Sequence, residues 1–88
     1  MLRIHRSANG EVVFTLSGRM GEESLAGLET LFRSEDGRAV TLDLKDLTLV
    51  NQDAVSFLER CESEGIMLKN CPAYIREWIT RQRNGSSA

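Results

Sequence analysis

The chain has 88 residues, enough for one small domain with a thin core. Hydrophobic residues make up 41% of the sequence and charged residues 27%, which is too apolar for a disordered protein. The 11 basic and 13 acidic residues give a net charge of −2, which argues against a duplex-binding surface. Its short apolar runs predict no membrane span, and its first residues lack the pattern of a secretory signal. We therefore expect a cytoplasmic protein that neither binds nucleic acid nor inserts into a membrane.

The first part of the sequence predicts a β-hairpin. Leu2 and Ile4 alternate with polar residues, and Asn9-Gly10 then supplies a tight turn. Residues 11–16 (EVVFTL) follow and are rich in β-branched and aromatic side chains. Two such runs on either side of Asn-Gly indicate two antiparallel strands.

An amphipathic helix is predicted from residue 22 to about residue 34. Glu22 and Glu23 lie in its first turn, where carboxylates favour the helix dipole. Its apolar residues recur at helical spacing; they are Leu25, Leu28, Leu31 and Phe32. Residues 39–44 then predict a strand, and the apolar residues within 47–50 are interpreted as a connection.

Two more helices and one short strand are predicted in the second half. Asn51 is placed to cap a helix over residues 52–64, residues 66–69 predict a strand, and Pro72 opens the last helix. The buried stripe of that helix is predicted to be Tyr74, Ile75, Trp78 and Ile79. Residues 1–82 are expected to form the single domain and residues 83–88 a flexible tail.

The resulting order is β-β-α-β-α-β-α, which predicts an α/β fold with a mixed four-stranded sheet and about three helices. Strands that alternate with helices pair in parallel through crossovers, while the hairpin adds the first strand antiparallel. The predicted core includes Leu25, Leu28, Phe32, Leu42, Leu44, Leu58, Leu68 and Trp78.

Three segments resemble the STAS domain, which is found in anti-sigma-factor antagonists and in the tails of sulfate transporters. Residues 40–55 (VTLDLKDLTLVNQDAV) are similar to the family's hydrophobic strand that leads through Asp-Leu to a helix start. Residues 16–20 (LSGRM) and 65–72 (GIMLKNCP) are similar to its other two motifs, and the likeness covers most of residues 10–80. The resemblance implies a STAS-like fold, trimmed at its C-terminal end.

The resemblance also implies a regulatory site that this chain has altered. In the family's antagonists, a Ser or Thr at the start of the second helix is phosphorylated by a partner kinase. That position falls on Asp53, with Asn51, Gln52 and Ala54 at the neighbouring motif positions. Asp53 has no hydroxyl and carries one negative charge, against about −1.5 to −2 for a phosphoserine. The sequence thus predicts no usable phospho-switch, and leaves open whether Asp53 imitates the modified state or only stabilises the helix start.

We interpret the protein as a non-catalytic interaction module that needs no cofactor and no metal. The partner is expected to be an anti-sigma or kinase-like protein; the alternative is an accessory subunit that docks the ATPase of a membrane transporter for phospholipids or anions. A second copy of the chain is a further candidate partner. The expected partner-binding residues are Asn51, Gln52, Asp53, Ser56, Glu59 and Arg60.

Other reactive residues offer weaker signals. His5 stands alone, and Cys61 belongs to an apolar helix face. Cys71 precedes a helix N-terminus, a setting that can lower a thiol pKa, but no base is paired with it in sequence. The two thiols are expected to be unpaired. The second helix looks acidic and the C-terminal end basic, which indicates either solvated faces or oriented docking.

Overall fold

The computed structural model describes residues 2–35 and 39–86. Its elements are β1 (Leu2–Asn9), β2 (Glu11–Met20), α1 (Glu22–Arg33), β3 (Val40–Val50), α2 (Gln52–Ser63), β4 (Met67–Lys69) and α3 (Ala73–Ser86). This β-β-α-β-α-β-α order is the predicted one. Across the described residues, no helix combines the length and the apolar character that a membrane crossing requires.

The four strands form one mixed sheet in the order β1-β2-β3-β4. β1 pairs antiparallel with β2, whereas β2, β3 and β4 run parallel to one another. Gly10 turns between the first two strands with φ of 88°, a conformation that side chains with a Cβ rarely adopt. The predicted hairpin and the predicted mixed sheet are therefore confirmed.

β3 is longer than the sequence suggested. The segment interpreted as a connection continues the strand to Val50, which pairs with Met20. The pairing shifts after Thr15, so that β3 carries an extra residue there. Because of this bulge, Leu44 and Leu47 both face the core although they are an odd number of residues apart. The register shifts again between Gly18 and Arg19. Strict alternation therefore breaks twice, and the sequence pattern does not predict the second half of β3.

The core lies on one face of the sheet. Phe14 of β2 pairs in register with Leu42 of β3, and both side chains are buried. Phe32 of α1 packs on Phe14 at 5.4 Å between ring centroids and on Phe57 of α2 at 5.9 Å. The aromatic contacts thus join the sheet, α1 and α2 in one cluster, to which α3 adds buried isoleucines.

Most of the predicted core residues are inside, with one clear exception. Leu28, Leu42, Leu44 and Leu58 are fully buried, and Leu25, Phe32, Leu68 and Trp78 are half-buried against the core. Tyr74 was expected in the buried stripe of α3, but it is exposed. Its hydroxyl donates a hydrogen bond to the carbonyl oxygen of Thr48 at 3.1 Å, which holds the polar end of the ring at the surface.

Helix α3 also continues further than expected. It ends at Ser86, within the segment predicted as a tail, and Arg83 Nη2 donates to Glu62 Oε1 at 2.8 Å. This ion pair with α2 supplies the anchor that the apolar pattern did not reveal. The rest of the predicted tail, residues 87 and 88, lies outside the described residues.

Candidate functional site

Asn51 caps helix α2. Its backbone is extended, with φ of −109° and ψ of −178°, and its Oδ1 accepts a hydrogen bond from the backbone N–H of Ala54 at 2.9 Å. One of the unpaired amides of the first turn is thereby satisfied. The predicted cap is confirmed, and its hydrogen bond to the Ala54 amide fixes the orientation of the Asn51 side chain.

Asp53 lies in the first turn of α2 with its side chain exposed. Over the ranges that the structure describes, its carboxylate has no hydrogen bond and no ion pair. Its negative charge stands at the positive end of the helix dipole and also faces solvent. Both interpretations of Asp53 left open by the sequence are compatible with this position.

The face of α2 that carries Gln52 and Ser56 is linked to α3 by a network of amides. Gln82 Nε2 donates to Ser56 Oγ at 2.8 Å, and Gln52 Nε2 approaches the same oxygen at 3.4 Å. Gln52 Nε2 also donates to Gln82 Oε1. The Ser56 hydroxyl therefore lies between Gln52 of α2 and Gln82 of α3.

The remaining two predicted contact residues point to different helices. Glu59 lies 3.9 Å from Arg83 Nε of α3. Arg60 turns towards α1, where its Nη2 lies 2.6 Å from Glu29 Oε1, and its guanidinium lies over the Phe57 ring at 5.7 Å. Gln52, Ser56 and Glu59 are thus tied to α3, whereas Arg60 is tied to α1. Asn51 bonds within α2 itself, and among the described residues Asp53 has no hydrogen bond or ion pair with either neighbouring helix.

Three open depressions meet at the first turn of α2. The depression between α1 and α2 has a volume of about 280 Å³ and includes Asp53, and the one at the ends of β2 and β3 has about 230 Å³ and includes Asn51. The one towards α3 has about 340 Å³ and includes Gln52. Three consecutive residues therefore each line a different depression.

Leu49 is a surface residue that the sequence interpretation missed. It is 53% exposed, lies opposite Arg19 in the β2–β3 register and lines the depression that includes Asn51. The segment 47–50 was read as a connection, so no side-chain direction was assigned to Leu49. A large apolar side chain beside the helix start adds a contact of the kind found at protein interfaces.

Several acidic residues of α2 and basic residues of α3, for which the sequence left open solvated faces or oriented docking, pair with one another within the molecule. Glu62 of α2 takes two hydrogen bonds from Arg76 and one from Arg83. The Arg76 hydrogen bond lowers the pKa of Glu62 below its ordinary value. Arg81 pairs with Glu77 one turn away on α3 itself. These pairs join charges that the sequence alone left unassigned, whereas Asp53 has no such partner among the described residues.

The two cysteine thiols are unpaired and weakly acidic. Cys61 is buried, and the loss of solvent raises its pKa to about 12. Cys71 is half-buried, its Sγ lies 3.6 Å from the carbonyl oxygen of Pro72, and burial raises its pKa as well. The sequence setting of Cys71 suggested a lowered pKa, but desolvation outweighs the opposing effect of Arg76. Within residues 2–35 and 39–86, no group of three or more potential ligands is placed to hold a metal ion.

The fold has a recognisable relative among solved structures. An uncharacterized protein of the DUF3478 family from Shewanella loihica PV-4, described as having a SpoIIAA-like fold, is similar with a TM-score of 0.59 and 15% sequence identity. The likeness covers 94% of this chain and 76% of that one. The chain therefore has a SpoIIAA-like, STAS-like fold, as the resemblance implied, and at this identity the likeness shows the fold alone. No family profile and no curated protein matches the sequence.

Proposed function

We propose that this protein is a non-catalytic regulatory module that binds a protein partner through the first turn of α2. The observation that carries the proposal is the position of Asp53, an exposed carboxylate on a capped helix end where three depressions meet. In the STAS-like motif, the same position holds the phosphorylated hydroxyl. Here the negative charge is permanent, so binding is not switched by phosphate at this residue.

The surface is suited to binding because its parts are already held in place. Asn51 is fixed by its cap hydrogen bond, and Gln52 and Ser56 are fixed by the amide network with α3. A surface whose side chains are ordered before binding loses little conformational freedom when the partner arrives. Asp53 lies in the middle of this surface, and its carboxylate, which has no hydrogen bond or ion pair among the described residues, is the charged group that the partner would contact.

The groups around Asp53 define the partner's chemistry. The half-buried Leu25 and the carboxylates of Glu22 and Asp53 line the depression between α1 and α2. Leu49 adds an apolar contact on the other side of Asn51. The complementary surface is an apolar residue flanked by a basic one, so that the basic group meets Asp53 and the apolar group enters the depression.

The partner class is proposed from the resemblance: an anti-sigma or kinase-like protein, in the cytoplasm. A transporter ATPase subunit would use the same helix end, so the identity of the bound partner decides between the two. A second copy of the chain in that place would give a dimer, which light scattering would detect.

The proposal is tested by titrating the protein with kinase-like and ATPase-subunit candidates encoded near its gene. Asp53→Lys combined with Ser56→Arg places two positive charges where the basic partner residue is expected. We expect binding of the cognate candidate to weaken at least about tenfold, the loss of one well-formed charge contact.

A matched control carries the same exchanges elsewhere. Glu11→Lys combined with Ser63→Arg makes the same change in net charge at exposed positions at the start of β2 and the far end of α2. This variant should bind like the unaltered protein. Equal affinity of both variants would remove the first turn of α2 from the interface.

A further inference from the structure

Strand β1 forms an outer edge of the sheet. It is first in the strand order, and all eight of its residues pair with β2 in continuous register. Across the described residues, its other edge has no strand beside it. Natural edge strands are commonly shortened, bulged or interrupted by proline or lysine to prevent further pairing. β1 is continuous and has no bulge, proline or lysine, and the charge that its Arg6 places on the helix-covered face is paired with Glu35. β4, at the opposite edge, is only three residues long.

The side chains of β1 differ between the two faces of the sheet. Ile4 lies opposite Leu16 and therefore shares the face that the helices cover. Arg3 and His5 lie opposite Ser17 and Thr15, on the other face. A strand added beside β1 would alternate in the same way. Its side chains would lie beside Ile4 on one face and beside Arg3 and His5 on the other.

One arginine of β1, Arg6, already binds a carboxylate of the same chain, that of Glu35. Arg6 Nε lies 2.5 Å from Oε1 of Glu35, which follows α1 on the helix-covered face, and this hydrogen bond raises the pKa of Arg6. Arg6 is thereby occupied within the molecule. Arg3 and His5 are exposed and, in the part of the chain that is described, make no hydrogen bond or ion pair. Arg3 is therefore the cation left for an outside carboxylate, and it lies with the His5 imidazole on the face away from the helices.

We propose that β1 accepts an extended segment of a partner protein as a fifth strand, with acidic and apolar residues alternating along that segment. Backbone hydrogen bonds to the open edge would supply affinity, and the alternation would supply specificity. The acidic side chains would lie beside Arg3 and His5, and an apolar one beside Ile4, which is 40% exposed. This surface is separate from the first turn of α2.

A second copy of β1 fits the edge less well. The described strand Leu2–Asn9 contains two arginines and a histidine but no acidic residue. Pairing it with itself would bring arginines of the two copies together and add no acidic side chain, and like charges on neighbouring strands are destabilising. Charge complementarity therefore favours an acidic segment.

The test uses a capped synthetic peptide of the same length as β1, in which Glu and Val alternate. Backbone amide shifts and hydrogen exchange of the full chain are followed by NMR during the titration. We expect saturable binding that protects amides of β1 while those in the first turn of α2 remain unchanged. Replacing every Glu of the peptide by Lys should abolish binding.

Two variants separate charge recognition from general effects. Arg3→Glu should weaken binding of the Glu-Val peptide by about fivefold, from reversal of one cross-strand charge pair. Arg33→Glu, the same exchange at an exposed position on α1, should leave binding unchanged. Matching urea midpoints show that both variants fold.

Several outcomes would overturn the inference. They are no saturable binding up to about 1 mM peptide, equal binding of the Lys-Val peptide, and protection confined to another strand or helix. Protection of the β1 amides that depends on protein concentration without any peptide would assign the edge to a second copy instead. None of these results bears on the binding of a partner at Asp53.

Discussion

Glu62 and Arg76 form a two-point ion pair between α2 and α3. Arg76 Nη1 donates to Glu62 Oε1 at 3.0 Å and Nη2 donates to Oε2 at 2.9 Å. The amide network of Gln52, Ser56 and Gln82 joins the same two helices at the other end of α2. With contacts at both ends, α3 is held along α2, and the surface around Asp53 keeps its shape.

We expect Glu62→Gln to lower the free energy of unfolding by about 0.5–1 kcal/mol near neutral pH, since a partly exposed ion pair contributes no more than this. The folded-state pKa of Glu62 lies below its ordinary value of 4.5. Its contribution is therefore fully present above that value and is lost as the pH falls through the lowered pKa. Urea unfolding at a series of pH values measures the difference.

The control for this effect is Glu77→Gln, which breaks the exposed Glu77–Arg81 pair within α3. It should change stability by less than about 0.5 kcal/mol. A difference between the Glu62 variant and the unaltered protein that persists unchanged at acid pH would contradict the role assigned to the ion pair.

Asn51→Ala should cost about 1 kcal/mol of stability, because the N–H of Ala54 loses its side-chain acceptor. Asn51→Ser keeps a capping oxygen and should retain most of the stability. Thermal or urea unfolding of the two variants tests this. If both lose the same amount, the side chain is needed for something other than the cap.

No stable phosphate should be incorporated at residues 51–55 when the protein is incubated with ATP and a kinase of the anti-sigma type. Asp53→Ser restores a hydroxyl at the exposed motif position and should create an acceptor. It leaves the buried Ala54 in place, whereas a glycine there would loosen the helix by about 1 kcal/mol. Site-mapped mass spectrometry is the measurement. Phosphate on Asp53 or Ser56 of the unaltered protein would show that the switch exists.

The two thiols should differ in reactivity. Cys61 is buried with a pKa of about 12, whereas Cys71 is half-buried, so a thiol reagent should modify Cys71 first in the native protein. Cys71→Ser should leave a chain that is labelled only slowly until urea is added. Intact mass without reductant should show no loss of two hydrogens. Faster labelling of Cys61 would contradict its burial.

The order of the elements could be predicted from local patterns along the chain. Asn9-Gly10 indicates its hairpin, the spacing of Leu25 and Leu28 indicates α1, and Asn51 indicates the start of α2. Such signals depend on residues a few positions apart, whose relation is the same in any fold. The exposed position of Asp53 at the helix start follows from them as well.

Tertiary structure alone decided the features that join distant residues. The two register shifts of β3 depend on its pairing with β2, and together they place Leu47 in the core while Leu49 stays exposed. The ion pairs of Glu62 depend on how α3 crosses α2, and they turn an apparent separation of charge into an internal contact. The Cys71 pKa is raised because desolvation depends on what packs around the thiol, which its sequence neighbours do not determine. Charge type and helical phase are local properties, whereas burial and pairing are properties of the packed chain.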